Sequence, residues 1–314
     1  ITEGQLFFNS TTNTFKETVI DMPGATWASG GAMNTARGYG AGSGTQTAAF
    51  VATGGAPATA GKTNHEQYNG SSWTETTEVN TARSYAGGFG TPAGGIVCGG
   101  YNSPSPGATL SITESWNGSA WTEVNDMNTA TQTGALGGTS TAGFSAGGYT
   151  PASPGFVAKF ENWDGSSWTE TTDMNQARFY GASSNNAPYT ATIVFAGSDN
   201  DSPLTFTANA ETWDGSSWTE VGNLNDSRAE LGGAGASQSS ALAFAGEAPG
   251  NSAKTEVWNG TSWTEIADLS TSRDVVNGAG TSSSALCSGG FAPSASTATE
   301  EFTASLGNKT ITSS

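Results

Sequence analysis

One histidine, His65, stands among 314 residues, so any imidazole chemistry in this chain has a single side chain to work with. A Ser-His-Asp relay would have to pass through it. A three-histidine metal site is excluded, and His/Cys zinc sites nearly so. Placed in a link just before Glu66, it reads as a solvated loop residue. Carboxylates are more plentiful, but Glu66, Glu114, Glu161, Glu211, Glu256 and Glu300 recur at regular intervals. Catalytic pairs need two unlike environments, and six equivalent ones are scaffold. The arginines Arg37, Arg83, Arg178, Arg228 and Arg273 also share one recurring position, with Thr131 in the sixth. Such a set reads as structural, bonding backbone carbonyls or the Glu of a neighbouring strand. Asp199 and Asp201 could hold Ca2+ through oxygen ligands, although two loop carboxylates are ordinarily just solvated. No other cofactor is indicated.

What sets these intervals is a repeat. Trp27, Trp73, Trp121, Trp168, Trp218 and Trp263 lie 45 to 50 residues apart, each followed by an Asn or Ser and then by the Arg position. Each unit then carries an apolar run ending in a small pair: Gly54-Gly55, Gly99-Gly100, Gly147-Gly148, Ala196-Gly197, Ala245-Gly246 and Gly289-Gly290. A period of this length, rich in short strands, points to a closed β array. In the second unit the strands read as A around 84–89, B around 95–98, C around 110–116 and D around 119–124. The C–D link is Asn117-Gly118, a strong hairpin signal because Asn and Gly tolerate positive φ. Asn69-Gly70, Asp164-Gly165, Asp214-Gly215 and Asn259-Gly260 are its equivalents. The sequons at Asn69 and Asn117 therefore have a hairpin explanation without glycosylation.

These units predict an all-β fold, a six-bladed β-propeller of four-stranded antiparallel blades. Strand A is rich in Gly, as in residues 39–44 and 231–236. Gly inside a strand marks close backbone approach, which fits innermost strands converging on an axis. No cofactor loop is implied, because Gly-x-Gly without a following helix has no phosphate cradle. The strand at Trp27 precedes the first A strand and is expected to complete the sixth blade, with the tail from Lys309 competing for that place. At the outer hairpin, aromatics pair: Tyr68 with Trp73, Trp116 with Trp121, Trp163 with Trp168, Trp213 with Trp218 and Trp258 with Trp263. Their loop has four residues if each pair is directly opposed, or two if the turn is tighter. A ring buries roughly 150–250 Å², about 4–6 kcal/mol gross as an upper bound. That makes Trp73, Trp121, Trp168, Trp218 and Trp263 the main source of cohesion between blades.

Composition narrows the function classes. The net charge is −17 with only ten Lys plus Arg, scattered along the chain. A phosphate-neutralising surface needs clustered basic side chains, so nucleic-acid binding is not expected. No apolar run approaches the length of a membrane span. The chain opens on Ile1 with no basic-then-apolar leader, which reads as a start that is trimmed, processed or preceded by further residues. Cys98 and Cys287 fall in the second and sixth units, which are not adjacent in a ring of six, so no disulfide is expected between them.

The order of a double glycine, a Glu-x-aromatic strand, a turn, a Trp strand and an Arg resembles the kelch-repeat β-propeller. Here it is carried by Gly99-Gly100, Glu114 and Trp116, Asn117-Gly118, Trp168 and Arg178. The resemblance runs from about residue 27 to residue 302. It departs where the glycine pair becomes Ala-Gly and where Thr131 replaces Arg. Residues 1–20, with Gln5-Leu-Phe-Phe and a Ser/Thr/Asn turn, read as a separate strand-turn-strand hairpin preceding a propeller over 21–314. That hairpin resembles segments of bacteriophage virion and tail-fibre proteins, and the Trp-Thr-Glu and Asn-Thr-Ala-Arg repeats resemble kelch-like proteins of marine phages. Galactose-oxidase-like copper propellers need Tyr, Cys and more than one His at the metal, and this chain has a single His. A sialidase-type turn is also missing, since Asp164-Gly165-Ser166-Ser167-Trp168 has no spacer after Asp.

Variation concentrates in the B–C links 56–63, 101–109, 149–157, 198–207, 247–253 and 291–297, which all contain Pro. In a propeller they share one face with the D–A connections, and binding surfaces tend to sit on loops held by a rigid scaffold. Tyr101, Asn102, Tyr149, Phe156, Asp199 and Asp201 are the candidates there. The resulting expectation is a non-enzymatic virion protein on the surface of an extracellular particle. Its hairpin would attach it to other virion proteins and its loop face would bind a host glycan or protein. The alternative is a structural capsid decoration or tail-associated subunit without receptor binding, and a carbohydrate-active enzyme comes third.

Overall fold

The computed structural model describes residues 5–12, 14–55, 61–102, 108–132, 134–151, 155–201 and 204–310. Five four-stranded antiparallel blades follow one another in sequence, over 41–75, 87–124, 135–170, 182–221 and 232–266. The innermost strand of each touches that of the next, and the sixth touches the first, so the ring is a closed six-bladed β-propeller. The sixth blade takes three strands from Asn277–Thr281, Ser284–Ser288 and Thr299–Thr310, and its outer strand from Thr14–Ser29. Trp27 lies opposite Phe302. The N-terminal strand therefore closes the ring.

The described part of the tail, Lys309 and Thr310, does not take this place. Thr299–Thr310 runs on beyond the blade and pairs with the first half of the same N-terminal strand, Lys16 opposite Thr310. Leu6–Asn9 then adds to the other edge of that strand. A register shift between Asp21 and Thr26 separates this three-stranded ribbon from the blade. The ribbon's central strand and the closing strand are one continuous strand, Thr14–Ser29.

Strand A of the second blade is Gly87–Thr91, later than the sequence suggested, because Tyr85 sits at φ 55° and ends the ladder. At the outer edge Trp116 lies directly opposite Trp121, so the loop has four residues. Asn117 Oδ1 accepts the amides of Ser119 and Ala120 at 3.0 and 2.9 Å. Asp164 and Asp214 do the same, and those donors hold each carboxyl down at about 2. Each Trp pair packs on the preceding blade: Trp116 and Trp121 against Phe50, Trp163 and Trp168 against Phe89, Trp258 and Trp263 against Phe195.

The indoles also fix the place of His65. Trp73, Trp168 and Trp27 donate to Thr299, Thr113 and Thr255 at 2.9–3.0 Å, and Trp121 donates to Nδ1 of His65 at 3.2 Å. His65 is 1% exposed and begins the third strand of its blade. The expectation of a solvated loop histidine is corrected: the neighbouring blade's indole buries it, and that burial lowers its pKa to about 4.

Two further repeats hold the ring. The small pair is in register as Thr53-Gly54, not Gly54-Gly55: the first member sits near φ 60° and the second near 100°. The amide of the second glycine donates to the carbonyl at the Arg position of the next blade in all six places, from Gly54 to Arg83 round to Gly290 to Arg37. Each Arg, fully buried, then clamps the Glu of its own blade: Arg83 to Glu114 at 2.9 Å, Arg178 to Glu211 at 2.5 Å and Arg37 to Glu66. The Glu114 carboxylate also accepts the amides of Asn80 and Thr81 at 2.7 and 3.1 Å. Without its cation in the third blade, Glu161 keeps Asn128 and Thr129 as donors. Cys98 and Cys287 are buried and unpaired. No helix among the described residues is long and apolar enough to cross a membrane.

Candidate functional site

The residue two places after each Arg position departs from ordinary backbone geometry. Tyr39, Tyr85, Tyr180, Glu230 and Val275 all have φ between 48 and 59°; Thr133, the sixth, lies outside the described residues. Positive φ in a non-glycine costs of order 1 kcal/mol or more, and here hydrogen bonds between blades stabilise it. Tyr85 N donates to Tyr39 O at 2.9 Å, Glu230 N to Tyr180 O at 3.0 Å, and Val275 N to Glu230 O at 2.7 Å. The turn aims these side chains at the mouth of the propeller axis, where Tyr39, Tyr180, Glu230, Val275 and Val276 line a cavity of about 60 Å³.

Below that mouth lies a well of about 90 Å³ between the innermost strands. Close approach sets its width: a Cβ on Gly278 would stand 2.2 Å from the Gly233 carbonyl. A plug from the fourth blade, whose innermost strand is only Ala182–Ser183, forms the floor. Asn185 Nδ2 donates to the carbonyls of Gly233 and Gly278 at 2.9 and 2.8 Å, and Asn186 Nδ2 to those of Gly44 and Gly280 at 2.8 and 3.1 Å. The Gly138 amide donates to the Asn185 carbonyl at 2.9 Å.

The first residues of the B–C links pair with the residues after each Arg, as in Ser84 with Tyr101, Gln132 with Tyr149 and Asp274 with Phe291. Link and mouth therefore share one face. An aromatic arc crosses it: Phe291 to Tyr39 at 5.6 Å, Tyr39 to Tyr85 at 4.4 Å, Tyr85 to Phe179 at 6.4 Å, then Phe179 to Tyr149 and Phe156 at 5.8 and 5.5 Å. Such spacings suit edge-on and tilted ring contacts. The Tyr39, Tyr85 and Tyr180 hydroxyls lie close together, and burial raises all three above the usual phenol range.

Beside the arc, oxygens of Glu230, Glu247 and Asp274 lie within 4.8 Å of one another. Burial, then the Asp274 and Glu247 charges, pushes Glu230 up to about 8. Burial, then Glu247, pushes Asp274 to about 6. Like charges sharing a half-buried place favour the neutral form.

No family model and no curated protein matches the chain. A solved structure titled "Structure of YjhT" is similar in fold, with a TM-score of 0.73 over 88% of this chain and 99% of that one. Identity is 13%, so the likeness is one of fold.

Of the residues the sequence singled out, Tyr149 and Phe156 join the arc, with Phe156 buried. Tyr101 is half-buried beside Ser84, and Asn102 is exposed outside the arc. Asp199 accepts Gln176 Nε2 at 3.0 Å and Thr205 Oγ1 at 2.5 Å, while the Asp201 side chain lies outside the described residues. Among the described residues, the carboxylates that converge are those of Glu230, Glu247 and Asp274. Sequence reasoning passed over Tyr39, Tyr85 and Tyr180. Their signal was present as Ala-Arg-x-Tyr in three units, at 36–39, 82–85 and 177–180.

Proposed function

We propose that the chain is a non-enzymatic virion protein of kelch-like type from a bacteriophage, whose propeller displays the aromatic arc to a host-surface glycan or protein. The observation that carries this reading is the arc itself. Tyr39, Tyr85, Tyr149 and Phe291 remain partly exposed on the face that also gathers the B–C links. Stacked rings flanked by carboxylates are suited to sugar rings, which present apolar faces and hydroxyl edges together. The absence of an enzymatic role is supported by the use of His65 as packing and of all five arginines as blade clamps.

The second reading, a structural capsid or tail-associated subunit, is favoured by the ribbon that leaves the sixth blade. Leu6, Phe8 and Phe15 are 64, 51 and 61% exposed there, an apolar strip suited to attachment to another virion protein. Binding of purified protein to a glycan array and to candidate host cells, with Tyr39→Ala and Tyr149→Ala as controls, tests the first reading. Binding that is absent throughout, with antibody to the loop face unable to reach it on intact particles, sinks it in favour of the second.

A further inference from the structure

The axial mouth shares Tyr39 and its carboxylates with the displayed face, but the well below it is used by neither receptor display nor attachment. Three carboxylates converge at the mouth among the described residues, while all five arginines are held by the blade clamps and Lys159 and Lys254 by surface pairs. Glu230 lines a cavity walled by the rings of Tyr39 and Tyr180 and by Leu231, Val275 and Val276, and oxygens of Glu247 and Asp274 lie within 4.8 Å of its carboxylate. The cavity opens into the well through Gly40, Gly181, Leu231 and Val276, which line both spaces. At the floor, Asn185 is 7% exposed and its Oδ1 accepts nothing. The amide cannot turn to remedy this, because Nδ2 is fixed by two carbonyl acceptors. A buried acceptor without a donor is costly.

We infer that this axial site binds a slender primary ammonium on an unbranched alkyl chain, carrying a second hydrogen-bond donor at its far end. The ammonium sits among Glu230, Glu247 and Asp274 against the tyrosine rings, where charge pairing and cation–π attraction act together. The methylenes run down past Leu231 and Val276, and the distal donor meets Asn185 Oδ1. One carbonyl that receives Asn185 Nδ2 belongs to Gly278, three residues along the chain from the mouth residue Val275. A divalent metal fits less well. Ca2+ asks for six to eight oxygens at close range, whereas the walls here are aromatic and aliphatic. An ammonium has three donors to satisfy, and three carboxylates supply the acceptors. Amine binding is independent of whether the loop face meets a host surface.

Titration calorimetry of the whole protein at pH 7.5 tests this with four probes: 5-amino-1-pentanol, pentylamine, 1-pentanol and CaCl2. The expected order has 5-amino-1-pentanol tighter than pentylamine by about five- to tenfold, with 1-pentanol and Ca2+ without measurable binding. Glu230→Gln weakens the amines at least tenfold while circular dichroism and melting show the fold intact. N-Acetyl-lysine methylamide, whose backbone would have to occupy the plugged floor, should not bind, and binding equal to pentylamine would overturn the orientation proposed. Equal binding of 1-pentanol, undiminished binding by Glu230→Gln, displacement of the amines by Ca2+, or no binding of any amine overturns the inference.

Discussion

The amide of Gly290 donates to the carbonyl of Arg37 at 2.9 Å, joining the last blade to the first with the same bond that links every other pair of neighbours. The bond depends on a glycine whose φ is 90°, outside the range of ordinary residues. The small pair in each unit is therefore one obligatory glycine preceded by a tolerant position. That explains why it decays to Ala196-Gly197 and Ala245-Gly246 and never the other way round.

Gly246→Ala should cost more than about 3 kcal/mol, because φ is 100° and the new Cβ would stand 2.7 Å from the Ala229 carbonyl. Ala245→Gly, at φ 61°, should stay within about 1 kcal/mol. Urea unfolding of the two variants checks the contrast, and equal losses would refute it.

Trp27→Ala should destabilise the ring by about 3 kcal/mol. It removes contacts to Phe244 at 5.1 Å and Phe302 at 5.2 Å, and leaves Thr255 without its indole donor. The half-buried position puts the loss at the low end for a tryptophan. Because this strand closes the ring, hydrogen exchange should quicken in blade six more than in blade three.

Thr131→Arg should add the sixth clamp, since Glu161 is 2% exposed with amide donors and no cation. A charged hydrogen bond less the side chain's lost freedom gives about 1 kcal/mol. Calorimetric melting should rise by a few degrees, and a fall would mean the site is too tight for the guanidinium.

The mouth carboxylates make stability fall with rising pH. Glu230, at about 8 in the fold, is favoured there in its neutral form. Its contribution is complete below the ordinary carboxylate range and is lost as pH climbs through 8; Asp274 loses its own around 6. Melting temperature should decline between pH 5 and pH 8.5, and Glu230→Gln should flatten the upper part of that decline.

His65 acts at the other end. Buried at a pKa of about 4, it stabilises the fold above its unfolded value near 6.5, and that stability is lost as pH falls toward 4. His65→Thr, the residue used at this place by Thr113 and Thr255, should remove that acid sensitivity while keeping an acceptor for the Trp121 indole. An unchanged acid limb in the variant would assign it to other groups.

What could be read from the sequence was whatever recurs. Six tryptophans and their hairpins indicated the blade count, and the Trp27 strand was legible as a closing strand with the tail from Lys309 as its competitor. His65 was misread because its burial comes from Trp121, 56 residues away in another blade. The glycine register slipped by one in the first unit because Thr53 takes a conformation usually left to glycine. The plug was visible only as a lapse: unit four alone has no glycine in 182–196, and what fills that gap depends on four other blades. Glu230 and Asp274 break the repeat at positions where other blades carry other residues, and only the ring brings them together.

The plug carries a further meaning. Asn185 and Asn186 reach the innermost strands of blades one, three, five and six at hydrogen-bonding distance simultaneously. Those four reaches agree only for one bore, so two asparagines measure the circumference. Propellers gain or lose blades readily when each contact is between neighbours, as in any nearest-neighbour array. Here the count is locked at the hub. A seventh unit would pull at least one of these bonds out of reach, and a fifth-blade deletion would leave the same two amides crowded against the wrong carbonyls.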